Sequence, residues 1–161
     1  MQELRALAAG AGNRRTETGI PRVAMVQGEI PEHLLAAVYD PMVNLILTGS
    51  KTMTVGERTL HYDPATYFVM SVDLPAVGSV HPAATGEPYL AVSLTLDPAI
   101  VAALIRDLPV KICSTLSGSG FSVAPVSGEL LDAWIRMLRL MERPDEIAVL
   151  APAYEREILF R

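Results

Sequence analysis

Cysteine and basic residues are scarce in this chain of 161 residues. The single cysteine, Cys113, excludes an internal disulfide bond and a cage of thiolate metal ligands, which fits a reducing compartment. Thirteen Lys and Arg residues stand against eighteen Asp and Glu, for a net charge of −5. This is the wrong sign for a surface that neutralises nucleic-acid phosphates. We therefore expect that this chain alone does not bind nucleic acid.

Long apolar runs are also missing, although hydrophobic residues make up 50% of the chain. Charge-free stretches such as 66–72 stop well short of the roughly 18 residues that a membrane-spanning helix needs. The N-terminus has Glu3, Arg5 and then Arg14-Arg15 after a short Ala-rich stretch, and it lacks the basic start and long apolar core of a signal peptide. These absences predict a folded cytoplasmic protein with a large core and no membrane partner.

The histidines and the nucleophilic side chains form no catalytic pattern. His33, His61 and His81 lie 28 and 20 residues apart, so no two share a strand at the spacing that directs two imidazoles to one metal ion. Cys113 has no patterned partner, and the serines of 117–120 lack the strand, turn and helix around a nucleophile elbow. We expect no metal, no cofactor and no catalytic residue, which favours a binding module over an enzyme.

Short strand-like segments fill the middle of the chain. Between Pro21 and Leu96, β-branched, aromatic and Leu residues alternate with Gly, Pro and Asp signals, a pattern typical of a small antiparallel barrel or sandwich. One more short strand follows a loop rich in Ser and Gly. The predicted strands are 22–27, 43–47, 51–55, 58–62, 66–72, 76–81, 89–96 and 121–126.

Helical signals lie at both ends of this region. Asp97 and Pro98 are suited to begin a helix predicted over 97–108. Residues 1–18 combine a weak helical stretch with a polar segment, so we expect a flexible N-terminal arm. The remaining helices are predicted over 127–143, 145–150 and 152–161.

The helix over 127–143 has more apolar surface than one core-facing side requires. Its charges form a single narrow stripe, whereas a helix between a core and water needs only about 100° of apolar surface. A second packing partner is therefore implied, which leaves two alternatives: a helix buried inside the domain or a dimer-forming helix. The candidate dimer-interface residues are Trp134, Met137, Leu138, Leu140 and Met141.

A ligand held by the barrel should contact inward-facing residues of the central strands, with few polar groups in an apolar wall. The candidate ligand-binding residues are Tyr67, Met70, His81 and Tyr89, which offer aromatic rings, an adaptable thioether and an imidazole. Tyr67 and Met70 have opposite parity on one strand, so without a bulge only one faces inward. The alternative for each is a core or rim side chain. Cys113 is a further candidate, as a thiol that senses an electrophile.

A series of short motifs over residues 18–161 occurs in an order typical of one family. The most specific are Ser71-Val72-Asp73-Leu74-Pro75, then Glu87-Pro88-Tyr89-Leu90, and Tyr154-Glu155-Arg156-Glu157-Ile158-Leu159 near the end. Others are Thr18-Gly19-Ile20-Pro21, Val38-Tyr39-Asp40-Pro41, Leu47-Thr48-Gly49-Ser50-Lys51, Tyr62-Asp63, Thr66-Tyr67-Phe68-Val69 and Leu96-Asp97. The chain resembles the N-terminal, cupin-like domain of a subgroup of AraC-type bacterial transcription regulators.

The resemblance implies a mainly β fold with C-terminal helices. A cupin-like double-stranded β-helix barrel over 19–126, with the helix 97–108 inserted, would precede a helical dimerisation segment over 127–161. It further implies a homodimer that senses an unknown small-molecule effector, with DNA bound only through a C-terminal helix-turn-helix domain that this chain lacks. The alternatives are a small cupin-type enzyme and a purely structural dimerisation domain whose own side chains fill the barrel.

Overall fold

Two antiparallel sheets and a set of helices make up the computed structural model, which describes residues 1–12, 14–28, 35–109 and 120–161. The strands are β1 (Arg14–Glu17), β2 (Val23–Gly28), β3 (Leu35–Tyr39), β4 (Met42–Thr48), β5 (Ser50–Val55), β6 (Arg58–Tyr62), β7 (Thr66–Met70), β8 (Leu74–His81), β9 (Tyr89–Thr95) and β10 (Phe121–Pro125). The α-helices are α1 (Gln2–Leu7), α2 (Pro98–Asp107), α3 (Gly128–Arg139) and α4 (Pro144–Phe160).

The larger sheet has the strand order β1-β2-β9-β4-β7-β10, and the smaller sheet has the order β3-β8-β5-β6. The expected mainly β architecture with C-terminal helices is confirmed, because strand residues make up 39% and helical residues 36%. The described strands form two sheets, and a closed cupin-like barrel is not confirmed. In the part of the chain that is described, no helix is long and apolar enough to cross a membrane.

All eight predicted strands are present, with ends shifted by at most two residues. The sequence analysis missed β1 and β3, which lie at the edges of the two sheets. β1 consists of Arg-Arg-Thr-Glu. A strand at a sheet edge tolerates such polar residues, and the same composition is typical of a loop.

The N-terminal segment differs from the flexible arm that we expected over residues 1–18. Leu4 and Ala8 are completely buried, and α1 contacts α3. The guanidinium of Arg5 donates to the carbonyl of Leu47 across 2.7 Å, and β1 pairs with β2 over its whole length. These contacts make the segment part of the folded domain, because its few apolar residues are buried.

Helices α2 and α3 begin where their capping residues predict. The side chain of Asp97 accepts a hydrogen bond from the amide of Ala99, 2.8 Å away, at the start of α2, and Ser127 caps α3 in the same way. The two pieces expected around Pro152 form one continuous helix, α4. Packing of Ala151 on one side of the proline and Ile158 on the other outweighs the one backbone hydrogen bond that Pro152 removes.

Two cores lie on opposite sides of the larger sheet. The helix-side core packs this sheet against α1, α3 and α4; its members include Leu4, Val23, Leu45, Leu47, Val92, Leu94, Trp134, Met137, Leu138 and Ile158. The inter-sheet core lies between the sheets and consists of Ile46, Met53, Val55, Tyr62, Phe68, Met70, Ala76, Tyr89 and Ala91. The larger sheet is therefore buried on both of its faces, as helix packing on one side and a second sheet on the other require.

The burial of α3 corrects the predicted dimer interface. Trp134, Met137, Leu138 and Leu140 are at most 2% exposed within the single chain, so they offer no surface to a partner. Met141 is only partly buried and packs against the same core. The second partner that the wide apolar surface implied is intramolecular, because α1 and α4 both contact this helix.

An ion pair joins the last helix to the larger sheet. The guanidinium of Arg22 donates to both carboxylate oxygens of Glu155, with 3.0 Å between Nε and Oε1. The carboxylate is nearly buried, and the hydrogen bond to it raises the pKa of Arg22. Such a two-pronged contact fixes the position of α4 relative to the sheet.

Candidate functional site

The four predicted ligand-binding residues lie on three different surfaces. Met70 and Tyr89 belong to the inter-sheet core, whereas Tyr67 packs against the helix-side core. His81 has the opposite parity to Ala76 of the same strand and lies with its Nε2 3.2 Å from Thr52 Oγ1. Strand alternation thus separates His81 and Tyr67 from the space between the sheets, and the structure brings together only Met70 and Tyr89.

A buried hydrogen bond lies on the inter-sheet side of the larger sheet. The Tyr89 hydroxyl donates to Asn44 Oδ1 across 3.4 Å, and both residues are buried. Burial raises the pKa of the Tyr89 hydroxyl, and Tyr39 adds to this effect, whereas the hydrogen bond to Asn44 lowers the pKa. The phenol is therefore neutral at physiological pH and can donate one hydrogen bond.

Tyr62 of the smaller sheet places a second phenol in the same core. Its ring stacks on Phe68 with 5.2 Å between the centroids, and only 1% of the residue is exposed. The hydroxyl has no hydrogen-bond partner in the part of the chain that the structure describes. Burial, followed by the proximity of Tyr89 and Tyr39, raises its pKa well above 10. A buried hydroxyl without a partner is costly.

Lys51 on β5 is partly buried and lies on the side of the smaller sheet that faces the inter-sheet core. It shares its strand face with Met53 and Val55, which are core residues, and its Nζ lies 5.0 Å from the centre of the Tyr39 ring. Burial lowers the pKa of its ammonium from 10.5 to about 8. The side chain is an unusual one here, because the chain contains eleven arginines but only two lysines, Lys51 and Lys111.

Gly78 on β8 provides the space for this arrangement. A Cβ atom at this position would lie 2.6 Å from the Tyr39 hydroxyl and 3.2 Å from Lys51 Cε. Any larger residue would displace one or both side chains, because 2.6 Å is far below a van der Waals contact. We call Lys51, Tyr62, Tyr89 and Asn44, together with Tyr39, the inter-sheet polar cluster.

The sequence analysis missed four of these five residues. A signal was available for Lys51 and Tyr62, since both have the parity of the apolar residues on their strands. A lysine at a core-facing strand position points to an interior charge that needs a reason. Asn44 and Tyr39 carry no such signal, because nothing local shows that they meet residues from distant strands.

No group of three or more metal-ligating side chains occurs among the residues that the structure describes. His33 and Cys113 lie outside the described residues. His61 and His81 share the outer face of the smaller sheet, where Thr52 lies between them. With one hydroxyl and two exposed or partly exposed imidazoles, this face offers no third metal-ligating side chain from the residues that the structure describes.

The match to a protein family decides the identity of the domain. The model of the N-terminus of AraC-type transcriptional regulators matches residues 19–161. The chain belongs to this family. An AraC-type N-terminal domain is a regulatory module, and the family is not one of enzymes.

Solved structures of AraC-like regulators share the fold of this AraC-type N-terminal domain. The transcriptional activator CuxR has 17% identity and a TM-score of 0.57 over 91% of this chain and 53% of its own. ToxT from Vibrio cholerae, with an unsaturated fatty acid bound, has 12% identity and a TM-score of 0.56 over 84% and 49%.

A second ToxT structure, bound to (E)-4-(8-methylnaphthalen-1-yl)but-3-enoic acid, has 8% identity and a TM-score of 0.53 over 84% of this chain and 52% of its own. The chain thus spans about half the length of these regulators. At such low identity the likeness concerns the fold. A comparison with curated proteins found no match.

Proposed function

We propose that this chain is the effector-sensing and dimerisation domain of a cytoplasmic bacterial AraC-type transcription regulator. DNA binding then resides in a further, C-terminal domain of the full-length regulator. One observation supports the sensing role: the core between the sheets contains polar groups that do not contribute to its packing. Among the described residues, the Tyr62 hydroxyl has no hydrogen-bond partner, and the contact that the Lys51 ammonium makes is with the aromatic ring of Tyr39.

The place that we propose for the effector is the space between the two sheets, in a cupin-like arrangement. Apolar side chains such as Met53, Met70 and Phe68 surround the polar cluster there, and an apolar wall with few polar groups is typical of small-molecule sites. The ToxT structures with a fatty acid and a naphthyl butenoic acid support this proposal, because they share the fold and hold apolar molecules.

A panel of small apolar and aromatic compounds tests the sensing role by the melting temperature of the chain. Tyr89→Leu removes an inter-sheet phenol, and Tyr67→Leu makes the same change on the helix side of the sheet. We expect at least one compound to stabilise the wild type and Tyr67→Leu but not Tyr89→Leu. A panel without any stabilising compound, or equal shifts in all three proteins, would contradict the sensing role.

For the homodimer we propose an interface on α4 in place of the buried α3. Val149 and Phe160 are 76% and 54% exposed, and their separation of eleven residues places them on one side of the helix. Ala153 lies between them and is exposed and small, which allows two helices to approach closely. An exposed apolar surface of this kind is typical of an interface.

Light scattering with substitutions on α4 tests this interface. Val149→Glu with Phe160→Glu should give a folded monomer, because each introduces a charge into a desolvated contact. Val38→Glu on β3 is the matched control, since Val38 is equally exposed but lies at a sheet edge. A double variant that keeps a dimer mass would exclude α4 as the interface.

A further inference from the structure

We propose that the effector is an organic monoanion, a carboxylate on an apolar body, whose charge is bound by Lys51 and Tyr62 between the two sheets. This inference rests on the proposed sensing function and names the class of its ligand. It follows from two donors, the Lys51 ammonium and the Tyr62 hydroxyl, for which the described residues provide no acceptor.

The ammonium of Lys51 has no acidic partner among the described residues. Every ion pair found in them is made by an arginine, and the charged contact of Lys51 is the ring of Tyr39. A charge in an apolar interior is costly unless an opposite charge or several hydrogen bonds accompany it. Within the described part of the chain, the inter-sheet core therefore holds one positive charge without an opposite charge.

Tyr62 supplies an unused donor next to this charge. Lys51 and Tyr62 are directly paired in the β5–β6 register, which places their Cβ atoms about 5 Å apart on one face of the sheet. The Tyr62 hydroxyl has no hydrogen-bond partner among residues 1–12, 14–28, 35–109 and 120–161, so the two groups do not satisfy each other. An ammonium and a phenol that both need an acceptor are suited to the two oxygens of a carboxylate.

The residues around Lys51 and Tyr62 indicate the chemistry of the uncharged part of the ligand. The residues around Lys51 and Tyr62 in the inter-sheet core are apolar, among them Met53, Val55 and Phe68. A single lysine balances one negative charge, whereas a phosphate with two charges is typically held by arginine forks or several backbone amides. A singly charged carboxylate with an aliphatic or aromatic body fits both the apolar surroundings and the single positive charge.

The Tyr89 and Asn44 pair marks the far side of the site. Tyr89 already donates to Asn44, so its hydroxyl oxygen remains as an acceptor and does not compete for the anion. Gly78 keeps the Lys51 stem and the Tyr39 hydroxyl in place, because a side chain there would contact both. The site thus has two free donors on the smaller sheet and a satisfied polar pair on the larger one.

Matched pairs of acids and alcohols test the inference by calorimetry. The probes are dodecanoate with dodecan-1-ol and 4-(naphthalen-1-yl)butanoate with its alcohol, so that each pair differs only in the charged group. The variants are Lys51→Met and Tyr62→Phe, and Lys111→Met is the control that removes the other lysine.

We expect the wild type and Lys111→Met to bind at least one acid about tenfold or more tightly than its alcohol, which is typical of hydrogen bonds to a charged group. Lys51→Met should lose this preference and keep its affinity for the alcohol, and Tyr62→Phe should reduce the preference.

Equal binding of acid and alcohol, or a preference that persists in Lys51→Met, would overturn the anion inference and leave the sensing function intact. Binding of neutral compounds from the wider panel without any acid would do the same. Failure of every compound, acidic or neutral, would overturn the sensing function as well.

Discussion

Replacement of Lys51 by methionine removes an ammonium from a partly buried side chain and keeps a flexible side chain of similar length. Burial lowers the pKa of Lys51 from 10.5 to about 8; at about 1.4 kcal/mol per pKa unit, this disfavours the charged folded form by about 3 kcal/mol. We therefore expect Lys51→Met to raise the free energy of unfolding near neutral pH by up to about 3 kcal/mol. A stabilising effect at an interior position is typical of a residue retained for binding.

The dependence on pH distinguishes relief of a buried charge from improved packing. Because the folded-state pKa is lowered, the unfolded state binds more protons between about pH 8 and 10.5, so stability rises with pH in that window. The cost is fully present below pH 8, and the wild type should regain about 2 kcal/mol relative to the variant between about pH 6.5 and 9.5. Tyr39, Tyr62 and Tyr89, which also face this core, have raised pKa values and stay neutral there.

Urea unfolding at the two pH values, followed by the fluorescence of the single buried tryptophan, Trp134, measures both effects. Protein concentration is held constant, so that association does not change the midpoint, and Lys111→Met is the control for loss of a lysine. A difference between Lys51→Met and the wild type that is the same at both pH values would refute the buried-charge reasoning. A variant less stable than the wild type at both would refute it too.

Three further predictions follow from the ion pair, one turn and the charge of the chain. Arg22→Ala should lower the free energy of unfolding by about 3–5 kcal/mol, since it leaves a buried carboxylate alone; Glu155→Ala should cost less, because the Arg22 side chain is 31% exposed. Urea unfolding of both variants checks this order. Gly49→Ala should prevent stable folding, as judged by circular dichroism, because its φ is 78° and a Cβ would lie 2.3 Å from the His81 carbonyl oxygen. The chain alone should not retain a promoter fragment sequence-selectively in a mobility-shift assay at physiological salt, since its net charge is −5.

Local signals located most of the fold. Gly, Pro and Asp between short apolar segments were enough to predict eight strands, and Asp97 and Ser127 to predict the starts of α2 and α3. Two of the four edge strands, β1 and β3, escaped prediction, and β1 did so because its polar side chains resemble those of a loop. The sequence left a buried α3 and a dimer-forming α3 as alternatives and could not decide between them, since the covering of α3 by α1 depends on contacts between residues more than a hundred positions apart, such as Glu3 and Arg139.

The candidate site was harder to predict than the fold. Parity alone showed that Tyr67 and Met70 cannot both face inward, and the structure places Met70 there. His81 was predicted to face inward, because the sequence does not show which face of β8 packs against the other sheet. The polar cluster draws Tyr39, Lys51 and Tyr89 from three strands of two sheets, and no local pattern shows that such strands oppose each other.

Because the larger sheet is covered on both faces, β4, one of its two central strands, has packed side chains on both sides. Along β4, Val43 and Leu45 belong to the helix-side core, while Ile46 belongs to the inter-sheet core and Asn44 bonds to Tyr89 there. Sliding the strand by one residue would exchange these sets and place an amide among the apolar helices. Its register is therefore locked from two sides. Any displacement of β4 is shared by both cores, so the sheets and the helices cannot relax independently of each other.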